Sequence, residues 1–284
     1  MCTSKNEYDM ISISKKDSVE FEGEKTVYHY TSIYTSIENI FPSNRLRLSS
    51  VSSASDPMEY SSPNPSVSCY GYEEDHIRLN ETIDGKGIAK KINTYYQSLR
   101  QLCLCRNSEI DFDGQYTGVF EPIDHFGFAK PRMWDQYADK FKGVCIALSR
   151  SKLEEQLSSN YRLINIGYSK NHLFRPNIDN SSVDLNQIEK IGEQEYLRLR
   201  YESEIKKISV KHHDYRDENE CKIITTTEDD YAYLDISRCI QGIFFTNRLN
   251  YTYESFLIKK AQEYKIPLLQ ISIRRTGIVI NPFA

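Results

Sequence analysis

Apolar positions along this chain keep changing their spacing, and each change predicts a new element. Val27-Tyr28-His29-Tyr30-Thr31 is a β-branched and aromatic run that predicts a strand. Ile33, Ile37, Ile40 and Phe41 then recur at helical spacing, with Ser32 placed as N-cap and Pro42 as stop. Arg45-Leu46-Arg47-Leu48-Ser49 alternates polar and apolar, as a half-buried strand does. Residues 50–70, rich in serine and proline around Asp56-Pro57-Met58-Glu59, read as a loop. A helical stretch follows over 73–100, broken near Gly85-Lys86-Gly87, and Gln101-Leu102-Cys103-Leu104-Cys105 reads as a strand. A loop covers 107–130, a short helix 131–140, and Gly143-Val144-Cys145-Ile146-Ala147-Leu148 is an apolar run that predicts a buried strand. A helix comes after Ser149, a strand near 162–168 and a charged helix over 184–208. Strands return at Cys221–Thr226, Ile240–Thr246 and Leu268–Ile273, with a helix at 252–264. This uneven interleaving, without an internal repeat, predicts one α+β domain over 25–284 behind a polar tail at 1–24.

Composition narrows the class. The chain has 284 residues, a formal charge of −4 and 39% hydrophobic residues, with 21 Tyr and 12 Phe supplying large side chains for a core. No apolar stretch is long enough to span a bilayer, so no membrane partner is expected. The acidic balance argues against broad adhesion to nucleic acid, although arginines such as Arg45, Arg47, Arg106, Arg132 and Arg175 leave room for a local groove. Seven scattered cysteines without a CxxC pair predict neither a disulfide scaffold nor a zinc ribbon. With no apolar leader at its start, the chain is expected in a reducing cytoplasm.

Three segments offer chemistry. On a strand His29 and Thr31 share one face and Tyr28 and Tyr30 the other, so His29 presents ring nitrogens that can hold a ligand hydroxyl or amide; from these residues alone, a core histidine with one satisfied hydrogen bond is the commoner reading. If a strand begins by Glu218, then Glu218, Glu220 and Lys222 share a face. Paired carboxylates beside an ammonium suit acid/base or cation-stabilising work, and a solvated charged loop also has this composition. Met133 and Tyr137 lie one helical turn apart beside Trp134, the chain's one tryptophan, as a stacking ledge or a helix-to-sheet anchor. His212-His213-Asp214 lacks metal-ligand spacing, and no P-loop, dinucleotide fingerprint or nucleophile elbow is present. A nuclease would draw on Asp111/Asp113 or Asp56/Glu59.

Together these segments resemble a mostly bacterial family, domain of unknown function 2971 (DUF2971). The resemblance rests on Tyr28-His29-Tyr30-Thr31, the strand Leu46–Ser49, the turn Ser55-Asp56-Pro57-Met58-Glu59, the block from Met133 to Ile146, and Glu218-Asn219-Glu220-Cys221-Lys222. Cys221 and Lys222 stand where the family pattern has Trp and Arg, which puts the role of that cation in question. The opening segment is also similar to the Tyr-His-x-Thr strand of bacterial ADP-ribosyltransferase toxins that modify nucleic acid. That superfamily carries its histidine early and its catalytic glutamate late.

The resemblance implies an ADP-ribosyltransferase-like fold, a mixed or antiparallel sheet with flanking helices. It implies NAD as substrate and no metal. Glu220 would stabilise the oxocarbenium-like transition state, Glu218 would act as base toward the acceptor, and His29 would position a ribose. The NAD site would draw on His29, Tyr30, Thr31, Arg47, Ser49 and Tyr137, with Arg47 on the pyrophosphate and an aromatic ring on nicotinamide. The expected acceptor is RNA, DNA or protein, and a toxin or antiphage effector of this kind would have a neutralising antitoxin partner. The alternative is a non-catalytic member that binds a nucleotide, a nucleic acid or a partner protein.

Overall fold

The computed structural model describes residue 21 and residues 25–53, 63–108, 125–170, 182–274 and 277–283. Strand β1 (Thr26–Thr31) leads through a helical segment α1 (33–43) into β2 (Arg45–Ser50). Next come β3 (Ser66–Ser68), α2 (Glu73–Thr82), α3 (Gly85–Ser98) and the long strand β4 (Leu99–Arg106). They are followed by α4 (Pro131–Tyr137), β5 (Val144–Ser149), α5 (Arg150–Gln156), β6 (Arg162–Asn165) and β7 (Gly167–Ser169). Then come β8 (Ser182–Asp184), α6 (Leu185–Ile191), α7 (Glu193–Ile208), β9 (Val210–His212) and β10 (Glu220–Thr226). The last elements are β11 (Ala232–Asp235), β12 (Ile240–Thr246), α8 (Glu254–Tyr264), β13 (Leu268–Arg274) and β14 (Gly277–Pro282).

Ten of these strands form an open mixed sheet, flanked by helices, in the order β11-β2-β4-β1-β5-β12-β13-β14, with β10 beside β4 and β6 beyond β10. Its pairs are antiparallel except β12–β13, a parallel pair joined by the crossover helix α8. The α+β reading therefore holds.

The core follows from alternation on strands buried on both sides. In β5, Val144, Ile146 and Leu148 enter one apolar cluster with Ile33, Phe41 and Leu257 from α1 and α8. Cys145 and Ala147 enter the opposite one, built on Tyr28, Tyr30, Phe128, Trp134 and Phe244. A strand covered on both faces has no polar face to show, hence the continuous apolar run in the sequence. Phe21 packs into the second cluster, edge-on to Phe128 and Phe244; the remainder of the expected tail lies outside the described residues. A third cluster of Leu79, Ile88, Ile92, Val183, Leu185 and Tyr196 sits among α2, α3, α6 and α7, away from the sheet.

Several boundaries differ from expectation for local reasons. Ser32 does cap α1, accepting from the Thr35 amide. The segment then widens into a π-helical turn at Ser36–Ile40, runs past Pro42, and stops at Asn44 in the left-handed region. Gly192, with φ of 81°, divides the expected helix 184–208 into α6 and α7. The expected strand at 162–168 breaks at Ile166, so that β6 pairs β10 while β7 pairs β9 in a separate ribbon. Ser66–Ser68, within the expected loop, pairs with β8, an interaction carried by backbone bonds that no hydrophobic pattern announces.

Strand β10 occupies a whole edge of β4, from Leu99 to Cys105. Both β1 and β2 must then use the other edge: β1 pairs at Cys105 and Arg106, β2 at Arg100 and Gln101. Between them, Leu102–Leu104 pair with neither strand, and the sheet opens into a wedge.

Candidate active site

A cavity of about 340 Å³ fills this wedge, within the range of ordinary ligand sites. His29, Tyr30, Arg47, Ser49, Tyr137, Glu218 and Glu220 all line it. Thr31 does not: it is the β1 residue furthest from β4, pairs with Val144 and is buried there. Tyr30 contributes little beyond its place in the wall, because its ring packs edge-on against Trp134 and its hydroxyl donates to the Gly127 carbonyl at 2.6 Å.

His29 is the first β1 residue beyond the stretch paired with β4. Its Nδ1 is buried and has no hydrogen-bond partner. Burial lowers its pKa to about 4, with a hydrogen bond to the Cys103 backbone offsetting part of the effect. At neutral pH the ring is uncharged and holds an unused polar atom at the cavity wall. Helix α4 is seated by Trp134, which is fully buried and donates from Nε1 to the Phe128 carbonyl at 2.8 Å. That anchor sets Met133 and Tyr137, one turn apart, against the cavity. Tyr137 keeps 39% of its surface, and burial of the remainder pushes its hydroxyl up to about 12. Arg47 and Ser49 come from the polar face of β2, with the Arg47 guanidinium 4.4 Å above the ring of Tyr231.

The acidic side departs from the expected strand face. Strand β10 starts at Glu220, and Glu218 ends a 3₁₀ turn (His213–Glu218), with Asn219 between them in the left-handed region. Both carboxylates nevertheless meet, on Lys211: its Nζ is 2.7 Å from Glu220 Oε2 and 3.0 Å from Glu218 Oε2. Arg132 lies 3.4 Å from Glu218 Oε1 and pairs with Asp217 at 2.9 Å. Burial raises the pKa of Glu218, against the lowering effect of Lys211. The ring of Tyr215 faces both cations, 4.8 Å from Arg132 and 5.6 Å from Lys211. Tyr168 accepts the Glu220 amide on its hydroxyl at 2.8 Å. Cys103 is exposed and lines the cavity, where burial first and the nearby Glu220 charge second push its thiol up.

The sequence placed Lys222 on the face of these carboxylates, and the structure brings a second ammonium, Lys211, onto both of them. Lys222 is fully buried and its Nζ lies 3.4 Å from the Ile208 carbonyl, at the C-terminal end of α7, where a positive charge is favoured. Lys211 was missed because β9 is three residues long and lies off the main sheet, so its side chain reaches the site through tertiary packing alone. Cys103 was legible as one half of an alternating Cys-Leu-Cys strand, without a role.

Residues 133–223 match the model of a family described as protein of unknown function (DUF2971). The match covers a third of the chain, and it contains Tyr137, Lys211, Glu218 and Glu220. It supports the DUF2971 resemblance carried by the Met133 block and by Glu218–Lys222; Tyr28–Thr31 lies before it. No curated protein and no solved structure matches the chain. Among the described residues no helix is long and apolar enough to cross a membrane, and no three His, Cys, Asp or Glu side chains are grouped to hold a metal ion. Asp56, Glu59, Asp111, Asp113 and Arg175 lie outside the described residues.

Proposed function

We propose that this DUF2971-like protein is an NAD-dependent ADP-ribosyltransferase. The observation that carries the proposal is that His29 and Glu220, nearly two hundred positions apart, line one cavity at the split of the sheet. The unpartnered Nδ1 of an uncharged His29 suits a ribose hydroxyl, from which a neutral imidazole nitrogen accepts a hydrogen bond. Tyr137, partly exposed at the wall, suits a planar ring such as nicotinamide. Arg47 at the mouth suits a pyrophosphate, which a guanidinium meets with two parallel hydrogen bonds.

In this scheme the bond between ribose C1′ and the nicotinamide nitrogen breaks, and its electron pair leaves with neutral nicotinamide. Glu220 stabilises the positive charge that develops on the ribose. An acceptor oxygen or nitrogen then attacks C1′, and its proton passes to Glu218. Burial raises the proton affinity of that carboxylate, as a base needs. The products are nicotinamide, the ADP-ribosylated acceptor and one proton, returned to solvent from Glu218. The mouth beyond Arg47 carries the exposed rings of Tyr231 and Tyr233, and RNA, DNA or protein is the acceptor class to be tested there.

The test is transfer of label from adenine-labelled NAD to macromolecules of a bacterial extract, comparing the wild type with Glu220→Gln. Loss of one charge-stabilising group typically costs ~10²–10³ in rate, and that loss is expected here. Equal labelling by the two proteins would remove Glu220 from the mechanism. Binding of NAD or nucleic acid without any transfer or NAD cleavage would favour the non-catalytic alternative. A toxic transferase implies a neutralising partner, which co-expression with genes adjacent to its own would reveal.

A further inference from the structure

Lys211 has no part in the scheme above, yet it is the group on which the two carboxylates converge. It is buried, it lies 2.7 Å from Glu220 and 3.0 Å from Glu218, and it projects from a strand that belongs to no part of the main sheet. Its partner across the β7–β9 ribbon is Tyr168, whose hydroxyl accepts the backbone amide of Glu220. One small ribbon thus grips Glu220 at both ends, carboxylate and amide.

We infer that Lys211 is a positioning residue: the β7–β9 ribbon holds the Glu220 carboxylate in the cavity, and Lys211 together with Arg132 balances the charges of the Glu218–Glu220 pair. Two carboxylates in a poorly solvated site compete for a proton unless cations compensate them. Arg132 serves Glu218 and is shared with Asp217. Lys211 bridges to Glu220, so its removal takes an ammonium away from both neighbouring acids at once. The other groups facing this cluster are Tyr215 and Asp217 from the 3₁₀ turn, Cys103 from β4, Tyr137 from α4, Tyr168 from β7 and Lys222 from β10. Lys211 is the group whose Nζ lies within 3.0 Å of a carboxylate oxygen of each acid.

The proposal depends on the transferase reading for its kinetic consequence and on geometry for its structural one, and the experiment separates the two. Full-length wild type, Lys211→Met and Lys211→Arg, with Lys211→Gln as a second neutral variant should the methionine fail to fold, are labelled with ¹³C-carboxyl glutamate. The resonances of Glu218 and Glu220 are assigned with Glu218→Gln and Glu220→Gln. The neutral variants are expected to take up the pair's first proton at a pH about one unit or more higher than the wild type, and the arginine variant to stay within about half a unit. A neutral variant whose titration superimposes on the wild type overturns the inference.

The same proteins are assayed for NAD cleavage across pH. The neutral variants are expected to lose kcat by about 10²-fold with KM nearly unchanged, and to show the acidic limb of the profile displaced upward. An unchanged kcat and limb in a neutral variant counts against the inference. A wild type that cleaves no NAD under any condition defeats the transferase reading instead, and the carboxyl titration still decides the role of Lys211.

Discussion

His29 carries a thermodynamic signature that can be read without knowing any ligand. Its pKa of about 4 lies below the 6.5 of an unfolded chain, so between those values the unfolded state binds the extra proton. Stability conferred by the neutral ring is fully present above pH 6.5 and is lost as pH falls toward 4. Denaturant titrations at pH 8 and pH 5 are expected to show this loss as up to about 2 kcal/mol, reduced by whatever part of the ring the cavity wets. His29→Gln, which has no titrating group, is expected to lack that increment. Cys103 gives a second probe, since burial raises its thiol while the cavity leaves it accessible. Alkylation by iodoacetamide at pH 8 should modify Cys103 slowly, leave the buried Cys105, Cys145 and Cys221 untouched, and slow further when a ligand fills the cavity. Labelling of Cys103 that is indifferent to millimolar NAD would place the ligand elsewhere.

Among the elements, the junction between α4 and β5 is the most constrained. Asp139, Lys140 and Phe141 all adopt positive φ, and a Cβ on Gly143 would lie 2.1 Å from the Thr31 carbonyl oxygen. That glycine lets the backbone end of β1 close against β5. Gly143→Ala is expected to destabilise the fold by about 3 kcal/mol in urea titrations, because backbone must move to admit a methyl group. Lys140 is exposed, so Lys140→Gly relieves left-handed strain without losing a contact and should gain about 0.5 kcal/mol. The strands around this junction were legible because their side chains carry the pattern: Leu46 and Leu48 alternate with arginines, and Val144–Leu148 is apolar throughout. The site was half legible. His29, Tyr137 and Glu220 stand in segments whose composition announces them, whereas Lys211 and Tyr168 sit on three-residue strands where spacing has no room to speak. Even the pairing of β3 with β8 rests on serines, whose ladder bonds are made by backbone that every sequence possesses.

At the scale of the whole molecule the apolar clusters divide the structure into regions of unequal cohesion. The two faces of the sheet share β5 and β12, so opening either one exposes both. The cluster under α2, α3, α6 and α7 surrounds the separate ribbon of β3 and β8, and a smaller cluster joins it to the sheet, where Tyr96, Ile205 and Ile208 pack with Leu99 of β4 and Ile224 of β10. Hydrogen exchange followed by mass spectrometry should find amides of β1, β4 and β5 protected to the global unfolding limit, and those of α2 and α6 exchanging earlier, through local opening. Equal protection in both regions would show that the helical cluster unfolds only with the sheet.

The parting of β1 and β2 along one edge of β4 has a mechanical consequence. Each of the two strands keeps its own ladder on its far side, with β5 and with β11, and the short shared stretches at either end of β4 act as pivots. A change in the angle between the two strands would leave both far-side ladders intact. The aperture between His29 and Arg47 is thereby a freedom that a guest molecule can take up as it enters.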